Sequence, residues 1–197
     1  MNDKNGWLAL LEENPGHSQW YIDRFRKLAK DGADLHGEAR LVDAMIPRGA
    51  RILDAGCGPG RVGGYLARAG HDVTGVDLDP ALVAAARADH PGAQWLTGDL
   101  SELDLPAKGF DVLVCAGNVM TFLAPDTRRI VLGRFAKHLC AGGRAVIGFG
   151  TERGYSPEEF LQDAEAAGLA PGLLLSTWDL QPYAEGSDFL VAVLTKT

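Results

Sequence analysis

"LDAGCGPGRVGG", Leu53 to Gly64, is the stretch on which the reading of this chain turns. It contains Gly58-x-Gly60-x-x-Gly63, the spacing of the dinucleotide fingerprint. An acid, Asp77, stands 19 positions after Gly58, where a ribose of NAD would want a carboxylate. The apolar run "ARILDA" leads into the stretch, as a strand buried in a parallel sheet does. A helix is expected to leave it from about Pro59 to Ala69, closed by Gly70.

Outward from there the pattern alternates strand and helix. "DVTGVD" is the second expected strand. Asp79-Pro80 then opens a helix, with Asp as N-cap and Pro at the first helical position. "AQWLTGD" and "FDVLVCAG" are the third and fourth strands. A helix over about 126–139 is expected to end at Gly142-Gly143, before a fifth strand, "RAVIGFG". Ser156-Pro157-Glu158-Glu159 reads as a capping box, for a helix closed at Gly168. The alternation then stops. "GLLLSTWDL" and "DFLVAVLTK" follow with only about residues 181–187 between them. That is enough for a hairpin and too short for a parallel crossover. The sheet is therefore expected to be open, mostly parallel and covered on both faces, with an antiparallel strand ending one side. Residues 1–46 read as helical and form a cap on a core of residues 47–197. The 197 residues are expected to make one domain.

Bulk properties narrow the function. The net charge is -7, and the densest basic piece, Arg24 to Lys30, carries apolar residues at helical spacing, so nucleic acid is not expected as a partner. Cys57, Cys115 and Cys140 are scattered, with no metal-binding spacing, which suits a reducing cytoplasm. No membrane span and no signal peptide are read, since the apolar patch Trp7 to Leu11 is short and is followed by two glutamates.

Charge then separates the possible ligands of the glycine loop. In open α/β sheets ligands sit beyond the carboxyl ends of the strands. Asp54, Asp77 and Asp99 stand at the ends of the first three strands. A pyrophosphate wants backbone N–H groups and a helix N-terminus, and Asp54 would repel it. S-adenosylmethionine carries a sulfonium, an ammonium and one carboxylate, and suits three acids better. The glycines also read in another frame, Asp54-x-Gly56-x-Gly58-x-Gly60, in which missing side chains let the backbone approach a ligand. Gly63 then falls inside the helix, for close packing on the sheet.

These residues resemble the class I S-adenosylmethionine-dependent methyltransferases. "ILDAGCGPGR", "VTGVDLD", "WLTGDL" and "FDVLVCAGNVMTFL" are similar to four family motifs in order, and the terminal hairpin to the fold's reversed seventh strand. "GEAR" before the first strand and "AGNVM" after the fourth are similar to small actinobacterial members. The resemblance implies a Rossmann-like three-layer α/β sandwich, with a seven-stranded, mostly parallel sheet whose last strand is antiparallel. It implies that Asp54 and the loop of Ala55, Gly56, Cys57, Gly58 and Gly60 hold the methionine end. Asp77 takes the ribose hydroxyls, Leu78 packs on adenine, Asp99 takes the adenine amino group and Leu100 lies beside it. Ala116, Gly117 and Asn118 line the sulfonium, while Tyr21 and Arg24 close over the methionine carboxylate.

Methyl transfer needs in-line positioning, exclusion of water and sometimes a general base. His17, His36 and Tyr155 are the candidates, and the residues do not choose among them. The loops after the fourth, fifth and sixth strands bring Thr121, Phe122, Arg153, Tyr155, Trp178, Gln181 and Tyr183 to the cofactor side, where they suit a small, partly apolar acceptor. The expected activity is methyl transfer to such a molecule. The alternatives are a non-catalytic S-adenosylmethionine-binding protein and a nicotinamide oxidoreductase. The latter lacks a Tyr-x-x-x-Lys pair, because no tyrosine has Lys four places on. The acceptor atom and the oligomeric state stay open.

Overall fold

A computed structural model describes residues 4–106 and 109–197; residues 1–3 of the expected helical cap lie outside them. Seven strands form one sheet: β1 (Arg51–Ala55), β2 (Asp72–Asp77), β3 (Gln94–Thr97), β4 (Phe110–Cys115), β5 (Leu139–Gly150), β6 (Leu169–Leu175) and β7 (Phe189–Lys196). Their order is β3-β2-β1-β4-β5-β7-β6. β1 to β5 pair in parallel, and β7 pairs antiparallel with both β5 and β6. The reversed strand is thus inside the sheet, not at its side, and β6 forms the edge. As an edge strand β6 tolerates Pro171, whose missing N–H breaks no interior ladder.

Among the described residues eight α-helices accompany the strands: α1 (Gly6–Glu13), α2 (His17–Lys30), α3 (Gly37–Met45), α4 (Arg61–Arg68), α5 (Pro80–Asp89), α6 (Val119–Phe122), α7 (Arg128–His138) and α8 (Pro157–Ala166). Strand alternation sorts the core into two layers. Leu53, Leu113, Ile147 and Phe149 face α7 and α8, where they meet Phe135 and Phe160. Ile52, Val112, Val114 and Val146 face the opposite way, against Leu41 and Val42 of α3 and Leu66 of α4. Every one of these side chains is buried, which gives the three-layer α/β sandwich its two cores.

Three boundaries differ from the sequence reading. β5 starts at Leu139, directly after α7, because Leu139 already pairs with Phe110. The ladder then shifts register, and the glycine pair lies within the strand rather than ending the helix. β6 spans Leu169–Leu175 instead of starting at Gly172, and the chain turns sooner, where Ser176 N–H donates to the Gln181 carbonyl (2.8 Å). The capping box is half formed. Ser156 Oγ accepts from Glu159 N–H at 3.1 Å, while the Glu159 carboxylate lies 3.9 Å from Arg128.

Candidate functional site

The carboxyl ends of β1 to β5 share one side of the sheet, and a cavity of about 520 Å³ opens there. β1 delivers the glycine loop. Gly56 sits at φ +75°, and a Cβ there would fall 2.4 Å from Val119 Cγ2, so both the turn and the close approach of α6 require glycine. The N–H groups of this loop are already committed. Gly56 and Cys57 donate to the Val76 carbonyl (2.8 and 3.1 Å), and Gly60 donates to Cys57 (3.0 Å). Gly58 donates to Asp77 Oδ2 and Gly63 to Asp54 Oδ2, both at 2.8 Å. A pyrophosphate would find these donors occupied by carbonyls and carboxylates.

The three strand-tip acids behave differently. Asp54 is 2% exposed, and burial lifts its carboxyl to about 7 against the pull of Gly63 N–H. Asp77 is also buried, which raises its carboxyl; its Oδ1 accepts from Asp79 N–H at 2.9 Å. Asp99 is exposed and caps a short turn through Ser101 N–H and Oγ, both at 2.8 Å. All three line the cavity, with Leu78 and Leu100.

On the β4 side Ala116, Gly117 and Asn118 also reach the wall. Asn118 takes φ +67°, which Asn tolerates better than most residues, and its Oδ1 accepts from Gly150 N–H at 2.7 Å. That bond ties the β4 loop to the end of β5. Tyr21, Arg24 and Cys57 line the cavity as expected. Ala55 and Gly60 do not: Ala55 is buried within β1, and Gly60 is the left-handed N-cap of α4, packed toward His90 and Trp95. Gly63 does pack closely, since a Cβ there would lie 2.8 Å from Asp54 Oδ2.

The base and acceptor candidates separate clearly. Tyr155 is fully buried among Phe149 and Phe160. Its hydroxyl donates to Asp163 (2.9 Å), and burial pushes it far above a useful range. It is a core residue. His36 stacks on Tyr65, away from the cavity. Trp178 covers Gly148 on the α3 side of the sheet, and Gln181 and Tyr183 also stay off the wall. Burial raises the Cys57 and Cys115 thiols and leaves neither as a nucleophile. His17, Phe122 and Arg153 do line the cavity.

The sequence reading missed how the N-terminal helices are hung. Asp79 caps α5 through Ala81 and Leu82 N–H, and its Oδ2 also accepts from Trp7 Nε1 (3.0 Å) and Ser18 Oγ (2.5 Å). Trp7, buried, then brings the rings of His17, Tyr21 and Phe122 around it at 5.2, 5.6 and 5.8 Å between centroids. No local signal marks Asp79 for this second task. Arg61, another cavity residue, is clamped by Glu38 through two hydrogen bonds (2.7 and 2.6 Å). Among the described residues there is no cluster of three or more His, Cys, Asp or Glu that would hold a metal, and no helix is long and apolar enough to cross a membrane.

Residues 52–143 match the family described as "Methyltransferase domain". A TehB-like SAM-dependent methyltransferase from Corynebacterium glutamicum, solved by crystallography, superposes with a TM-score of 0.90 and 54% sequence identity, over 93% of this chain and 100% of that one. An uncharacterized methyltransferase of Mycobacterium tuberculosis is 37% identical over 123 residues, 60% of each chain. A malonyl-[acyl-carrier protein] O-methyltransferase of Pectobacterium atrosepticum is 32% identical over 136 residues, 69% of this chain and 50% of that one. The chain thus spans 60% and 50% of the lengths of these two curated relatives.

Proposed function

We infer the function from family: the chain belongs to the class I S-adenosylmethionine-dependent methyltransferases, and its cofactor is S-adenosylmethionine. We propose that it methylates a small molecule. When bound, the cofactor supplies an electrophilic methyl group on a sulfonium, and an acceptor attacking in line leaves S-adenosylhomocysteine. The single observation that carries the site assignment is the glycine loop with its N–H groups spent internally and three acids at adjoining strand tips. Such a site favours a cation over a phosphate.

The residues divide the work as follows. Asp77 receives the ribose hydroxyls, with Leu78 on the adenine face and Asp99 at its amino group, beside Leu100. Gly56, Cys57 and Gly58 let the methionine end approach the backbone, and Asp54 lies beneath it. Ala116, Gly117 and Asn118 border the methyl. Tyr21 and Arg24, on the helix over the loop, receive the carboxylate. The cavity volume of about 520 Å³ lies within the range of about 300–1,000 Å³ common for one ligand. Once a cofactor occupies it, the remaining room suits a small acceptor. The scattered cysteines favour a cytoplasmic setting.

Transfer of labelled methyl from S-adenosylmethionine into fractionated cell metabolites tests this. Label is expected in one low-molecular-weight fraction. Binding of the cofactor with no label transferred across extracts and pH values would reduce the protein to a sensor. Titration with NAD and NADP is expected to give no binding.

A further inference from the structure

We propose that Arg153 anchors an anionic group of the methyl acceptor, and that the acceptor is a small acid with an apolar body. This deepens the methyltransferase reading above and rests on it. Three guanidiniums line the cavity: Arg24, Arg61 and Arg153. Arg61 is neutralised by Glu38 at 2.6 Å. Arg24 packs its guanidinium over the Trp20 ring at 5.4 Å. Neither Arg24 nor Arg153 pairs with a carboxylate among the described residues. The cofactor brings only one carboxylate, so one cation is left over.

Position decides which one. The α2 helix lies over the glycine loop, with Tyr21 Cε1 3.9 Å from where a Gly58 Cβ would be. Arg24, one turn further along α2, therefore belongs to the methionine end. Arg153 follows β5, which is separated from β1 by β4. Its Nε lies 3.1 Å from where a Gly150 Cβ would be, so the guanidinium stem rests on the strand end because residue 150 has no side chain. The same Gly150 donates its N–H to Asn118, whose loop borders the methyl. Arg153 thus stands on the transfer side of the cavity.

The cap side of the same cavity is aromatic, lined by Trp7, His17 and Phe122. Trp7 meets Phe122 and His17 edge-to-face, at interplanar angles of 88° and 67°. These rings make that side of the cavity apolar, which favours an acceptor with an apolar body. A guanidinium at the rim favours a carboxylate, which it holds through paired hydrogen bonds. Together they select a molecule with an apolar body and an acidic head.

The test uses protein loaded with S-adenosylhomocysteine and two probes of one shape, 2-naphthoate and 2-naphthamide, titrated by calorimetry. The acid is expected to bind about tenfold more tightly than the amide, the gain of a hydrogen bond to a charged group. R153Q is expected to erase that preference, and R153K to keep part of it. R24Q should weaken S-adenosylhomocysteine and leave the preference intact. Arg153 is exposed, so the variants should unfold at the wild-type temperature. Equal affinity for acid and amide, a preference that survives R153Q, or failure of both probes to bind the loaded protein would each overturn the proposal. Failure of S-adenosylhomocysteine itself to bind would overturn the cofactor assignment beneath it.

Discussion

The two walls of the cavity are built by different rules. On the sheet side, carboxylates hold backbone: Asp54 takes Gly63 N–H, and Asp77 takes Gly58 and Asp79 N–H. Those bonds join residues 9, 19 and 2 positions apart. On the cap side, rings pack on rings, and the wall hangs from Asp79 through Trp7 and Ser18, 72 and 61 positions away. The difference teaches that one wall is a property of local backbone geometry and the other of a single tertiary anchor. They should therefore fail separately.

The largest effect is expected from Asp79→Ala. It removes a helix cap worth about 1 kcal/mol, and strands the buried Trp7 N–H and Ser18 O–H at about 1–3 kcal/mol each. Stability should drop by about 3–7 kcal/mol. Hydrogen exchange should quicken over residues 6–30 while β1 to β5 keep their protection. Uniform loss of protection would mean that the two walls are one cooperative unit.

Asp54 gives the next largest effect, through pH. Burial lifts its native carboxyl from 3.8 to about 7. Between about pH 4 and 7 the native state keeps a proton that the unfolded chain has lost, so the group's contribution to stability is full below pH 4 and gone above pH 7. The ionised form then costs roughly 4 kcal/mol. Asp54→Asn keeps an oxygen for Gly63 N–H and removes the ionisation. It should be about 3 kcal/mol more stable than wild type at pH 8 in denaturant melts and little changed at pH 4. A cationic cofactor opposes protonation, so wild-type affinity should rise from pH 6 to pH 8 and that of the variant should stay flat.

Legibility in the sequence follows the same division. β1 and β4 are legible because buried parallel strands carry apolar runs, and Asp79-Pro80 because capping is local chemistry. Most of the residues expected at the cofactor line the cavity for the same reason: they stand at strand tips and in the turns that follow them. Ala55 and Gly60 lie off the cavity because a motif carries every residue in its run, whereas Ala55 is still inside β1 and Gly60 already caps α4. Tyr155 looked like a loop residue facing the site. It is core because the chain folds back at once into α8, putting Phe160 at 5.8 Å, edge-on to its ring. Trp178 was assigned to the cavity by loop order. Its ring went instead to the opening above Gly148, which sequence order does not reveal. The early turn after β6 has no glycine or proline to mark it, and Trp178 brings back an apolar residue just after Ser176 and Thr177.

The two smallest effects test independence across a gap of two residues. Asp77→Ala should weaken cofactor binding by about 1.5–3 kcal/mol, the value of hydrogen bonds to a charged group, as measured by calorimetry. Unchanged binding would remove Asp77 from the ribose. Trp7→Phe keeps the ring but deletes the donor to Asp79, whose Oδ2 retains Ser18. Its stability loss should be about 1 kcal/mol, and cofactor affinity should stay within about twofold of wild type, since uncoupled sites add to within about 0.3–0.5 kcal/mol. Asp77 Oδ1 accepts from Asp79 N–H, so a physical route between the walls does exist. That bond runs through backbone, however, while Trp7 is held by the side chain. A tenfold fall in cofactor affinity in Trp7→Phe would show that Asp79 transmits strain from one to the other, and that the cap helps to set the ribose site as well as the acceptor wall.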